Sequence, residues 1–275
     1  MKKNIQMTLI IAHRGARSIA PENTIAAARK AFELGADLWE TDVAVTKDEK
    51  LILFHDDSLE RTTNVKKVFP SNDNLTFTEY TLEQIRKLDT GSHYIETDPF
   101  GEIKKRNLTK EDFLSFKAEK VPTLKEALLF TKEKQWKVNL ELKKLPERFN
   151  NFPVPQKVVE IIRKTDINPD QIIVSSFNHK WLQNVHDMEP GIEIQALIGY
   201  SYTDPLDWGD YSFETYNARS ILIDDEQIKA AQKKRKKINL FTVNKVEEMK
   251  NFMALGIDGI ITDYPQRLRT LIDQI

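Results

Sequence analysis

Short β-rich runs alternate with longer helical stretches along most of this chain, and that alternation limits what it can fold into. Strand-like runs fall at 8–12, 38–45, 137–142, 172–175, 193–198, 220–223, 238–243 and 259–262. Leu9-Ile10-Ile11-Ala12 is wholly apolar, as in a strand covered on both faces. Helical patterns occupy 24–34, 123–132, 155–164, 179–188, 224–236 and 246–255. The first is alanine-rich, starts where Asn23 or Thr24 can cap it, and stops before Gly35. Residues 46–50 are too few for a crossover helix, so 51–54 should fold back antiparallel on the second strand. Eight strands then remain for a parallel sheet. That predicts an α/β fold and favours a closed (β/α)8 TIM barrel. An open doubly wound sheet is the alternative, but the glycine-rich phosphate loop that would support it is missing.

A length of 275 residues suits one such domain spanning 1–275. Residues 56–122 break the rhythm: they are polar and lysine-rich, with one clear short helix at 82–88. They read as an insertion after the second barrel strand, on the face where a barrel keeps its active site. No run approaches the roughly 20 apolar residues of a membrane helix. A net charge of −1 exerts no global pull toward nucleic acid or acidic lipid. Lys233-Lys234-Arg235-Lys236-Lys237 reads as the solvated end of a helix. With no cysteine there is no disulfide, thiolate metal site or cysteine nucleophile. Met1-Lys2-Lys3 opens as many signal peptides do, but Asn4 and Gln6 interrupt the apolar run, which meets His13-Arg14 directly. The expected location is the cytoplasm.

Polar residues gather at the C-terminal ends of the predicted strands: His13-Arg14, Glu40 with Asp42, His55-Asp56, Glu141 with Lys143, Ser175-Ser176-Phe177, Thr242 with Asn244, and Thr262-Asp263. In a parallel barrel these ends share one rim. Glu40 and Asp42 are two apart on a strand and so face the same way. Trp39, Val43 and Val45 mark that strand as buried, where two like charges need a compensating cation or base. Glu141 between Leu140 and Leu142 raises the same problem. Three carboxylates at one rim suit a hard divalent cation, Mg²⁺ or Ca²⁺. His13 and His55 could join such a site and also fit a general acid and base, and Arg14 and Lys143 make a phosphate-like anion the leading ligand. The aromatic stretch from Tyr200 to Tyr216 suits either a substrate rim or ordinary loop packing. His93, His179 and His186 read as structural or exposed.

Taken in order, these residues resemble the glycerophosphodiester phosphodiesterase family. The resemblance runs through His13-Arg14-Gly15-Ala16, Pro21-Glu22-Asn23-Thr24, Glu40-Thr41-Asp42-Val43, Thr46-Lys47-Asp48, and His55-Asp56 with Leu59, Arg61, Thr62 and Thr63. Pro122-Thr123-Leu124 with Glu126, Glu141-Leu142-Lys143, and Gly256 through Pro265 continue it. The likeness implies a (β/α)8 barrel with the insertion at 56–122. It also implies His13 and His55 as acid–base pair, Glu40, Asp42 and Glu141 as ligands of one divalent cation, and Arg14 and Lys143 as phosphate holders. One departure is Phe241-Thr242-Val243-Asn244, where the family often carries Trp-Thr-Val-Asn; Phe keeps an apolar wall but loses the indole N–H donor.

The activity implied is metal-dependent hydrolysis of small glycerophosphodiesters to glycerol 3-phosphate and an alcohol. Phe177 and Phe241, at the same rim, should wall a small, partly apolar pocket against the glycerol carbons. Two other readings are a lysophospholipase D-type activity at the same site and a ligand-binding barrel without catalysis. The first needs an acyl channel, and the second sits poorly with a complete set of histidines, carboxylates and cations.

Overall fold

Parallel pairing runs without a break around eight strands. The computed structural model describes residues 8–117 and 119–274, so the reading of residues 1–7 lies outside it. The strands are β1 (Leu9–Ala12), β2 (Leu38–Val45), β3 (Leu51–Leu53), β4 (Val138–Leu142), β5 (Ile172–Ser176), β6 (Glu193–Ile198), β7 (Thr215–Arg219), β8 (Lys237–Phe241) and β9 (Gly259–Thr262). Their order is β1-β9-β8-β7-β6-β5-β4-β2-β3, and β1 also pairs with β2, which closes the barrel. β3 stays outside the ring, antiparallel to β2, as the short 46–50 link requires.

Helix α1 (Ile25–Glu33) follows β1. Among the described residues, the segment 56–122 carries four short α-helices, α2 (Val65–Val68), α3 (Leu82–Ile85), α4 (Ser92–Thr97) and α5 (Lys110–Phe116), and a 3-10 turn at Phe77–Glu79, where the sequence shows only one helix. The outer ring continues with α6 (Leu124–Glu133), α7 (Val154–Thr165), α8 (His179–Met188), α9 (Asp225–Lys233), α10 (Val246–Ala254) and α11 (Pro265–Ile272). α7 shows why such segments form: Val154, Val158, Val159 and Ile162 make one buried stripe. Thr24 caps α1 by accepting the Ala27 N–H, which leaves Asn23 free for the rim.

One strand expectation needs correction. The strand placed at 220–223 is instead Thr215–Arg219, and Ile221 is exposed. Thr215 and Asn217 alternate with apolar Tyr216 and Ala218, so the real strand lacked an apolar run. Asn217 is buried, where its side-chain oxygen accepts from Asn239 Nδ2 at 2.8 Å. Residues 199–214 form no helix; Trp208, Tyr211 and Phe213 pack around Tyr216, which settles most of the aromatic stretch as loop packing. Tyr200 and Tyr202 remain exposed.

Gly15 shows how closely α1 sits on the loop after β1. Its φ is +78°, and a Cβ there would lie 2.6 Å from both the carbonyl carbon and Cβ of Ala27. Gly15→Ala is expected to destabilise the fold by about 3 kcal/mol, through a left-handed backbone and a clash with helix backbone together. Thermal unfolding followed by circular dichroism checks this; an unchanged midpoint contradicts it.

Candidate active site

Strand register builds the acidic centre. β2 and β4 pair so that Asp42 lies beside Glu141 and Glu40 beside Asn139. Glu40 and Asp42 are almost fully buried, and ligand oxygens of Glu40, Asp42 and Glu141 all lie within 4.8 Å of one another. Burial, then the charge of Asp42, pushes the Glu141 carboxyl up to about 7. Burial and the charges of Asp42 and Glu141 raise Glu40 as well. Burial acts the same way on Asp42, but Lys143 and Arg14 outweigh it and hold that carboxyl below the usual range. Among the described residues, Glu40 Oε1 is buried with no hydrogen-bond partner. An unpartnered oxygen amid crowded carboxylates fits a hard cation with oxygen ligands.

Arg14 and Lys143 are both engaged with this centre. Arg14 holds a left-handed backbone at φ 56°, which costs a non-glycine residue about 1–2 kcal/mol. Its N–H donates to Glu40 Oε2 at 2.9 Å, and its carbonyl accepts from Asn23 N–H at 3.1 Å. The guanidinium spans two acids, with Nη1 donating to Glu22 Oε1 at 2.8 Å and Nε 3.3 Å from Asp42 Oδ2. Asn23 Nδ2 donates to Asp42 Oδ2 at 2.9 Å. Lys143 Nζ donates to the His55 carbonyl at 2.8 Å and stands 3.6 Å from Asp42 Oδ1. Lys143 thus ties the end of the β3 arm to the acidic centre.

Each histidine has a carboxylate behind it. His13 Nδ1 lies 2.6 Å from Asp263 Oδ1, and His55 Nδ1 lies 2.6 Å from Asp56 Oδ1. Burial raises Asp263, but the hydrogen bond to His13 and nearby positive charge, Arg17 included, bring it down to about 2. An ionised Asp263 can only accept, so His13 Nδ1 donates and Nε2 carries the lone pair. Burial and the charge of Arg14 lower His13 below its ordinary value of 6.5, against the pull of Asp263, and keep the ring neutral. Asn244 completes the support: Nδ2 donates to Asp263 Oδ2 at 2.8 Å and Oδ1 accepts the Asp263 N–H at 2.9 Å.

Phe177 and Phe241 do meet, edge to face with centroids 6.1 Å apart, and Phe177 also meets Tyr200 at 5.1 Å. The cleft beside His55 and Lys143 is broad, about 760 Å³, and mostly polar, with Asp57, Lys144, Glu147 and Asn150 along it. The polar loop after β4 sets that character. Arg219, not singled out in the sequence, lies over Phe241 at 5.1 Å and Tyr202 at 4.1 Å.

The sequence profile of the Glycerophosphoryl diester phosphodiesterase family matches residues 13–267. The chain belongs to this family. It is 34% identical over 270 residues to a glycerophosphodiester phosphodiesterase of Caldanaerobacter subterraneus subsp. tengcongensis, covering 96% of this chain and 98% of that one. A Bacillus altitudinis glycerophosphodiester phosphodiesterase is 33% identical, with 95% and 96% covered. Among solved structures, an Oleispira antarctica phosphodiesterase in complex with the product sn-glycerol-3-phosphate superposes with a TM-score of 0.77 at 25% identity, covering 97% of each chain. The profile begins at His13, so it spans every residue singled out at the rim.

The sequence by itself does not single out the carboxylates behind the histidines. In the sequence Asp263 is no more than a strand end and Asp56 no more than a neighbour of His55. The one available signal was an acid in each case at a strand terminus beside other rim residues.

Proposed function

We propose that this chain hydrolyses water-soluble glycerophosphodiesters to glycerol 3-phosphate and an alcohol, with one divalent cation, Mg²⁺ or Ca²⁺, held by Glu40, Asp42 and Glu141. The observation that carries the reading is the acidic centre at one rim with two carboxylate-anchored histidines. When bound, the cation would draw negative charge from the non-bridging phosphate oxygens. Arg14 and Lys143 add positive charge toward the same oxygens and hold Asp42 ionised.

His13 and His55 form the proton-transfer pair. One takes the proton from the attacking oxygen as the new P–O bond forms; that oxygen is either water, or the glycerol 2-hydroxyl, which gives a cyclic phosphate that water then opens to glycerol 3-phosphate by the same pair. The other gives a proton to the alkoxide oxygen as its P–O bond breaks. With Nδ1 committed to Asp263, a neutral His13 offers its Nε2 lone pair and suits the accepting role. Phe177 and Phe241 would pack against the glycerol carbons, and the polar cleft would receive the leaving alcohol. Among the described residues no helix is long and apolar enough to cross a membrane. A cytoplasmic site of action belongs to this reading and is tested by cell fractionation.

The substrate class follows from the polar cleft. Glycerophosphocholine is expected to be turned over faster than lysophosphatidylcholine under matched conditions, with glycerol 3-phosphate as the product. Faster turnover of the lysophospholipid would instead support the lipid-directed reading, with the exposed Tyr200 and Tyr202 as the first place to seek an acyl site.

The acidic centre also fixes a pH dependence. Glu141 has its folded-state pKa raised from the ordinary 4.5 to about 7, so its protonated form favours the folded protein. That contribution is complete below 4.5 and fades as pH rises through about 7. Cation binding needs the carboxylates ionised, so it becomes easier over the same window. The rise in melting temperature caused by Mg²⁺ or Ca²⁺ is therefore expected to grow from about pH 5 to about pH 8. An equal rise at both ends contradicts the raised carboxyls.

A further inference from the structure

Glu22 sits in the loop between β1 and α1, with its side chain only 10% exposed, and its carboxylate meets three arginines. Oε1 accepts from Arg14 Nη1 at 2.8 Å and from Arg61 Nη2 at 2.7 Å. Oε2 accepts from Arg17 Nη2 at 2.8 Å and from Arg61 Nη1 at 2.9 Å. Each of these arginines then reaches a different part of the site. Arg61 forks onto Asp56, with Nε 2.5 Å from Oδ2 and Nη2 2.9 Å from Oδ1, and Asp56 holds His55 Nδ1. Arg17 Nη1 lies 3.5 Å from Asp263 Oδ1, the atom that holds His13 Nδ1. Arg14 reaches Asp42.

An unbroken alternation of acids and bases therefore runs from one histidine to the other: His13, Asp263, Arg17, Glu22, Arg61, Asp56, His55. Arg61 belongs to the insertion and is gripped along two edges of its planar guanidinium, so its orientation is fixed by bidentate contacts. We infer that Glu22 is a positioning residue that sets His13, His55 and Arg14 relative to one another from a single carboxylate. This rests on the proposal that the two histidines transfer protons. Without the charge of Glu22, three guanidinium groups would face one another across a largely buried space. Arg17 and Arg61 would then recoil and drag Asp263 and Asp56 away from the histidine rings. Small displacements of reacting groups are enough to cost about 10²-fold in rate.

The test uses the full chain with ¹⁵N-labelled histidine, and reads the Nδ1–H resonances of His13 and His55 beside kinetics on glycerophosphocholine. Glu22→Gln is expected to move both resonances and to lower kcat by about 10²-fold while KM changes little. Arg17→Gln should move the His13 resonance alone, and Arg61→Gln that of His55 alone. The two arginine variants keep the inference testable if Glu22→Gln does not fold. The inference is overturned if Glu22→Gln moves one resonance or neither, if its kcat stays within about twofold of the parent, or if each arginine variant moves both resonances or none. Full activity in His13→Ala or His55→Ala would defeat the proton-transfer reading by itself, while a joint shift of both resonances would still support the linkage through Glu22.

Discussion

Replacing His13 or His55 by alanine is expected to lower kcat by about 10²–10⁴-fold and leave KM within a fewfold of the parent. Proton transfer acts in the transition state, so its loss falls on kcat rather than on binding. Both rings are anchored at Nδ1 by a carboxylate 2.6 Å away, which leaves Nε2 as the working nitrogen in each. Asp263→Asn should reproduce part of the His13 defect, because an amide can donate to Nδ1 and so favour the wrong tautomer. Steady-state kinetics on glycerophosphocholine checks the set. A His13 or His55 variant with parental kcat removes that ring from the reaction.

The second large effect lies in the acidic centre. Glu141→Gln and Asp42→Asn are each expected to lower cation-dependent kcat/KM by about 10²–10³-fold, comparable to removing a preorganised charge at a reacting oxygen. The two differ in stability. Glu141 is a carboxyl pushed up to about 7, so the amide should be tolerated or even stabilise the cation-free protein near neutral pH. Asp42 is held ionised by Lys143 and Arg14, so its amide strands two cations and should destabilise. Melting temperatures in chelator separate the two variants, and equal destabilisation would contradict these electrostatics.

The acidic centre was legible because burial and charge conflict in the sequence itself. Glu40 and Asp42 interrupt a strand that is otherwise core, and period-two alternation puts both on one face. The barrel was legible from the alternation of strands and helices, since each parallel pairing needs a crossover. β7 was not, because polar Thr215 and Asn217 are buried along it, Asn217 against Asn239, while the apolar 221–223 that follows lies in a turn. The short helices of the insertion fall below the length at which periodicity shows. For α11 the one start signal in the sequence is Pro265, at its first turn. The partner of His13 lay out of reach for another reason: Asp263 stands 250 residues away, and only closure of β1 against β9 brings the two together.

Release of glycerol 3-phosphate should depend on a cation at the rim where Glu40, Asp42 and Glu141 meet. The most direct test strips the protein with EDTA and follows glycerol 3-phosphate release from glycerophosphocholine as Mg²⁺ or Ca²⁺ is added back. No release above background is expected in EDTA, with a saturable recovery on adding one of the two cations that is absent in Glu141→Gln. Full release in EDTA, from protein shown by elemental analysis to carry no metal, would contradict it.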